Sequence, residues 1–270
     1  MAHDGESSAA QSRKNLLSKL PPIYEGDLRG QTRQLLQNSA GEIPILVALD
    51  DDPTGTQTCH GVNVLTVWDV PTLIEELQAT PRGGGFFILT NSRALPTQAA
   101  RDLTKDICRN LKQAAENVNL KIEIVLRGDS TLRGHFPDEP QAVEEVLGES
   151  HAWIIAPFFL QGGRYTIDDV HYVLEGEDDL VPAGESQFAK DATFGYKSSN
   201  LRDWVVEKSA GSISQDRVTS ISLETIRKGG PDAVKEQMLG LEKGSVVVVN
   251  AAAEEDMDVV ILGILKGGFC

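Results

Sequence analysis

The sequence predicts an α/β fold: a mostly parallel sheet with flanking helices and a substrate pocket at the carboxyl ends of the strands. Three observations predict it. Short apolar runs with strand character recur at residues 43–49, 85–90, 121–126, 152–158 and 245–250. Helical patterns lie between several of them, and strands alternating with helices build βαβ units around a parallel sheet. The first run ends abruptly in Asp50-Asp51-Asp52-Pro53-Thr54-Gly55. Three adjacent carboxylates repel one another, and they stand at the strand end, where open α/β sheets bind their ligands.

In chain order, residues 1–25 read as a flexible N-terminal extension, with Ser, Ala and Lys early and Pro21-Pro22 near its end. The remainder, 26–270, reads as a single domain. A short helix is expected over 27–38. The clearest helix covers Thr97–Val118, where Ala100, Leu103, Ile107, Leu111 and Ala114 recur at spacings of three and four. Pro96 suits its start. Further helices are expected over 72–77, Asp138–Leu147 and 231–241. Residues 160–215, rich in Gly, Asp and Ser with scattered aromatics, break the alternation and predict a long excursion over the edge or top of the sheet.

The bulk properties bound the function. The chain has 270 residues, 40% hydrophobic and 24% charged, which is ordinary for a globular protein with a substantial core. Its net charge of −15 argues against nucleic acid or an anionic membrane as a partner. No apolar run approaches the roughly 18–20 residues of a membrane span. Cys59, Cys108 and Cys270 are odd in number and show no C-x-x-C spacing. With a polar N-terminus, they predict a cytoplasmic chain without structural disulfides or zinc.

Polar motifs follow each of the first four strands. They are Asp50 to Gly55, then Asn91-Ser92-Arg93, then Arg127-Gly128-Asp129-Ser130-Thr131-Leu132-Arg133-Gly134, and last Pro157 with Gln161-Gly162-Gly163-Arg164. In one parallel sheet these ends share an edge, so distant motifs converge. Arginine recurs in three of the four, the local basic cluster that an anionic substrate needs in an acidic chain. A guanidinium binds carboxylate through two parallel hydrogen bonds, which suits Arg93, Arg127 and Arg133. Asp side chains accept hydrogen bonds from vicinal hydroxyls, and one within reach can take the proton of an attacking hydroxyl. Gly55, Gly128 and Gly134 permit close backbone approach. Each piece also has a structural alternative. The acid triplet can be a solvated turn, Ser92 a turn residue, and Arg93 a partner for Asp51 or Asp129. The five histidines show no ligand spacing, although His135 adjoins the third motif. Asp168-Asp169 reads as an exposed acidic loop.

Together these motifs resemble the four-carbon acid sugar kinase family. Its Asp-Asp-x-Thr-Gly segment is matched by Asp51 to Gly55, its second element by Asn91-Ser92-Arg93, and its Lys/Arg-x-Asp-Ser-Thr-Leu-Arg-Gly block by Arg127 to Gly134. A Pro-x-x-x-x-Gly-Gly-Arg-like segment is similar to residues 157–164. The resemblance runs over about residues 43–255 and implies the N-terminal, sugar-acid-binding domain of a kinase for threonate, erythronate or 3-oxo-tetronate-type acids. It implies substrate contacts from Asp51, Asp52, Arg93, Arg127, Gly128, Asp129, Ser130 and Arg133. Asp52 and Asp129 are the candidate catalytic residues, with Asp51 also open as the base. ATP and Mg2+ are implied by the family. The family's second, nucleotide-binding domain is not recognisable in this sequence, and there is no G-x-x-x-x-G-K-[ST] loop, so a separate nucleotide-binding domain or chain is an expected partner. Two other readings stand beside it. One is a non-catalytic sugar-acid binding module. The other is a haloacid-dehalogenase-like, magnesium-dependent phosphatase with Asp50 as nucleophile and Asp52 as acid/base, which leaves the 127–134 block unexplained.

Overall fold

Strand β2 (Ile45–Asp50) is apolar until its last residue and forms the centre of a four-stranded parallel sheet. The computed structural model describes residues 10–38, 43–56 and 59–268. Ahead of β2 lie strand β1 (Gln11–Ser12) and helices α1 (Arg13–Ser18) and α2 (Leu28–Asn38). After it come β3 (Val64–Leu65), α3 (Val70–Ala79), β4 (Gly85–Leu89), α4 (Thr97–Val118), β5 (Ile122–Arg127) and α5 (Asp138–Leu147). The sheet order is β3-β4-β2-β5. Ile45, Val47 and Leu49 alternate onto one face, where they pack with Phe86, Ile88 and the buried stripe of α4 that includes Ile107 and Leu111. The helices cover that face alone. On the other, Leu46, Val64 and Val125 are 39%, 41% and 43% exposed.

The second half is built differently. β6 (Ala152–Ile155), β7 (Arg164–Ile167), β8 (Val170–Glu175), β9 (Asp179–Pro182), α6 (Leu201–Lys208), β10 (Val218–Ile221), α7 (Gly230–Leu239), β11 (Ser245–Val249) and α8 (Glu254–Gly267) follow in order. β10, β11 and β6 form a separate parallel sheet. One face packs against α2, α7 and α8 through Val247, Val249, Ile226 and Val260. The other meets Trp204 and Tyr196. The expectation that all four motif-bearing strands share one edge is therefore corrected: β2, β4 and β5 do, and β6 lies in the second sheet. The excursion expected over 160–215 contains β7, β8 and β9, which β1 joins in an antiparallel sheet of order β1-β9-β8-β7.

The expected extension over 1–25 is corrected from residue 10 onward; residues 1–9 lie outside the described residues. Gln11 and Ser12 pair with Leu180 and Asp179, and Leu16, Leu17 and Leu20 pack on the antiparallel sheet. Arg227 Nη1 donates to the Pro21 carbonyl at 2.8 Å, and its Nε and Nη2 grip Asp256 at 2.8 Å each. Cys59 and Cys108 are free thiols, whereas Cys270 lies outside the described residues. No helix among the described residues is long and apolar enough to cross a membrane.

Candidate functional site

The alternation of β2 decides where its acids go. With Val47 and Leu49 facing the helices, Asp50 falls on the opposite face, beside its register partner Arg127 on β5. Asp50 is 1% exposed, and among the described residues neither carboxylate oxygen has a partner at good hydrogen-bond geometry. The following turn folds back over it so closely that a Cβ on Gly55 would lie 2.0 Å from Asp50 Oδ1. Burial pushes the Asp50 carboxyl up to about 6, against the pull of the Arg127 guanidinium.

Asp51 turns the other way and meets Arg93. Arg93 Nε donates to Asp51 Oδ2 at 3.0 Å, Nη2 to Asp51 Oδ1 at 2.5 Å, and Nη1 to Asp52 Oδ2 at 3.3 Å. Burial still raises the Asp51 carboxyl in spite of this pairing. Asp52 is more exposed, and hydrogen bonds from the Thr54 hydroxyl and backbone N–H hold its carboxyl below the usual range. Arg93 is placed by a tight turn. Asn91 adopts φ 52°, a left-handed conformation that Asn tolerates better than most residues. Ser92 is fully buried and donates to Glu139 Oε1 at 2.6 Å, while the His135 ring Nε2 meets the Ser92 carbonyl at 3.1 Å. Burial pushes the Glu139 carboxyl up to about 7.

The loop after β5 brings the third motif. Arg127 Nη1 donates to the adjacent Gly128 carbonyl at 3.1 Å and forms no ion pair among the described residues. Burial opposes the charge of Asp129, yet hydrogen bonds from Thr131 and Arg133 hold its carboxyl below the usual range. Arg133 Nε reaches Asp129 Oδ2 at 2.6 Å. The loop is tied to the second half by Tyr196, whose hydroxyl donates to the Thr131 carbonyl at 2.8 Å. A second tie is His171 on β8, fully buried, with Nε2 2.8 Å from the Ser130 carbonyl and Nδ1 3.0 Å from the Thr166 hydroxyl. Burial drives the His171 ring down to about 4, so it is neutral at pH 7.

These elements enclose a cavity of about 150 Å³ lined by Thr54, Gly55, Arg93, Arg127, Asp129, Ser130 and Phe159. Of the expected contacts, Arg93, Arg127, Asp129 and Ser130 line it. Asp51 stands behind Arg93, Asp52 flanks it, and a Cβ on Gly128 would lie 3.8 Å from Asp51 Oδ2. Arg133 approaches Asp129 and is not among the lining residues. Phe159 escaped the sequence reading; it arrives because its backbone pairs with Arg164. Asp169 is structural, bonded to Asn250 and Ser220. A larger open groove of about 390 Å³ lies on α4 and α5 around Lys105, Arg109 and Lys112, away from all the strand-end motifs. The phosphatase reading fails at Asp50, whose oxygens lie sealed beneath Gly55 where no phosphorus can be attacked. Among the described residues, no three His, Cys, Asp or Glu gather to hold a metal. With Asp51 held on both oxygens by Arg93, the acids present do not fit a resident Mg2+.

Comparison with known proteins decides the family. The model of the sugar-binding N-terminal domain matches residues 46–268. The chain belongs to that family. This sugar-binding domain is the N-terminal domain of the four-carbon acid sugar kinases, as the motifs predicted. A D-erythronate kinase of Heliobacterium modesticaldum is 26% identical over 230 residues, covering 83% of this chain and 48% of the relative. The chain thus spans about half the length of the curated relative it matches. Two crystal structures share the fold. A Haemophilus influenzae protein aligns with TM-score 0.58 at 15% identity, over 83% of this chain and 54% of its own. A Bordetella bronchiseptica domain of unknown function, a domain-swapped dimer with bound citrate, aligns with TM-score 0.56 at 18% identity, over 83% and 57%.

Proposed function

We propose that this sugar-binding domain holds a four-carbon sugar acid of the erythronate or threonate type, as the substrate half of an ATP-dependent kinase. The observation that carries the reading is Arg127. In an acidic chain, its guanidinium lines the cavity and forms no ion pair among the described residues, whereas Arg93 is already engaged by Asp51 and Asp52. Arg127 takes the carboxylate of the ligand through paired hydrogen bonds. Asp129, held ionised on the cavity wall, and Asp52 beside it accept hydrogen bonds from the ligand hydroxyls, and these two remain the candidates to receive the proton of the reacting one. Arg93 braces Asp51 and Asp52 and shapes the wall. The name of the Heliobacterium relative and the citrate bound by the Bordetella domain support a hydroxylated carboxylate as the ligand. ATP and Mg2+ would be met on a separate domain or chain. The proposal places the domain in the cytoplasm.

Titration calorimetry with erythronate, threonate and related tetronic acids tests this reading. Binding by at least one acid, weakened roughly tenfold or more in Arg127→Ala, is expected, because a hydrogen-bonded charge contributes about 1.5–3 kcal/mol. No binding by any acid, or affinity unchanged in both Arg127→Ala and Asp129→Ala, overturns it.

A further inference from the structure

Beyond the cavity, two more guanidiniums lie over one aromatic ring. Arg133 Cζ is 5.1 Å and Arg164 Cζ 5.3 Å from the centroid of Phe188. Their circumstances differ. Arg133 spends its Nε on Asp129 at 2.6 Å and has Asp191 at 3.9 Å. Arg164 forms no ion pair among the described residues. Its Nη1 donates to the Gly162 carbonyl, and its Nε is buried with no acceptor among the described residues. Burial and the Arg133 charge both lower its pKa, with Asp129 acting against them. A buried guanidinium N–H without an acceptor is rare and calls for a reason, and a second cation beside it raises the cost.

We infer that Arg164 and Arg133, stacked over Phe188, form an oxyanion subsite beside the cavity that takes a second anionic group of the ligand. Asp129 joins the two places, since it lines the cavity and bonds Arg133. Phe159 joins them again, lining the cavity while its backbone N–H donates to the Arg164 carbonyl at 3.2 Å and its carbonyl accepts from the Arg164 N–H at 2.9 Å. Asp129 neutralises one of the two guanidiniums, and an arriving oxyanion supplies the acceptor for Arg164 Nε with the planar geometry an arginine favours. The chemistry fits a carboxylate or a phosphoryl group. Assigning that group to the sugar-acid ligand rests on the function proposed above; the subsite itself does not.

The test uses the whole 270-residue chain with inorganic phosphate and acetate as separate probes, and then with erythronate. Phosphate or acetate affinity is expected to fall roughly tenfold or more in Arg164→Gln and by less in Arg127→Ala. The probe that responds identifies the group. Equal affinity in wild type and Arg164→Gln, or loss confined to Arg127→Ala, overturns the subsite. Should Arg164→Gln not fold, the Arg164 Nε–H resonance of the wild type is followed instead. A shift that saturates with either probe supports the subsite, and no shift with both overturns it. If the probes respond at Arg164 while no sugar acid binds, the subsite stands and the sugar-acid reading falls.

Discussion

At the scale of single residues, Asp50 and Gly55 are a matched pair. The carboxylate sits where a Cβ would, so Gly55→Ala forces the turn off Asp50 and should cost about 1–3 kcal/mol, read from urea unfolding. Asp50 also makes a pH prediction with a definite sign. Its pKa rises from 3.8 to about 6 on folding, so between these values the native state binds the extra proton. Its contribution is therefore most favourable below about pH 4 and declines as pH rises to 6, by on the order of 3 kcal/mol. Asp50→Asn should flatten that decline and stabilise the protein at pH 7; an unchanged slope would show that Asp50 is solvated. The sequence made the acids legible because three together at a strand end are anomalous. It left the partners open. That Asp51 engages Arg93, while Arg127 forms no ion pair among the described residues, rests on a contact across two strands that no spacing encodes.

At the scale of elements, legibility followed locality. Thr97–Val118 was readable because its stripe repeats every three or four residues and one face meets one sheet. The antiparallel sheet was not, since β9 pairs with Gln11 and Ser12 from far along the chain, and the pairing partner is no local property of either. The same holds for Phe159 and Phe188, which reach the site from segments without periodicity. The N-terminal strap gives an elemental prediction. Asp256 and Arg227 are 1% and 7% exposed, so Asp256→Ala strands a buried cation and should cost about 3–5 kcal/mol. Because Arg227 also holds the Pro21 carbonyl, amide exchange over residues 10–25 should quicken in that variant, and exchange unchanged there would detach the strap from the ion pair.

For the whole molecule, opposing titrations should level the stability profile in mildly acidic solution. Asp50 and Glu139, both raised on folding, add stability as pH falls. His171 does the reverse. Its ring falls from 6.5 to about 4 on folding, so its contribution is complete above 6.5 and is lost as pH drops toward 4, by on the order of 3 kcal/mol. His171→Gln removes that loss while keeping a donor for Ser130. Thermal melts should then rise between pH 7 and 4.5, whereas melts that still track the wild type would assign the profile to other groups.

The cavity draws its walls from two hydrogen-bonded ladders that are not continuous with one another: Arg93 and Arg127 follow strands of the first sheet, and Phe159 pairs with Arg164 on the antiparallel sheet. Backbone pairing fixes the position of each wall and leaves the gap between them to side chains, chiefly His171 and Tyr196 gripping the 127–134 loop. A ligand touching Arg127 on one side and the Phe159 hairpin on the other acts as a rivet between the halves, so occupancy should register as stiffening far from the bound atoms, along β8 and α6, as much as in the cavity itself.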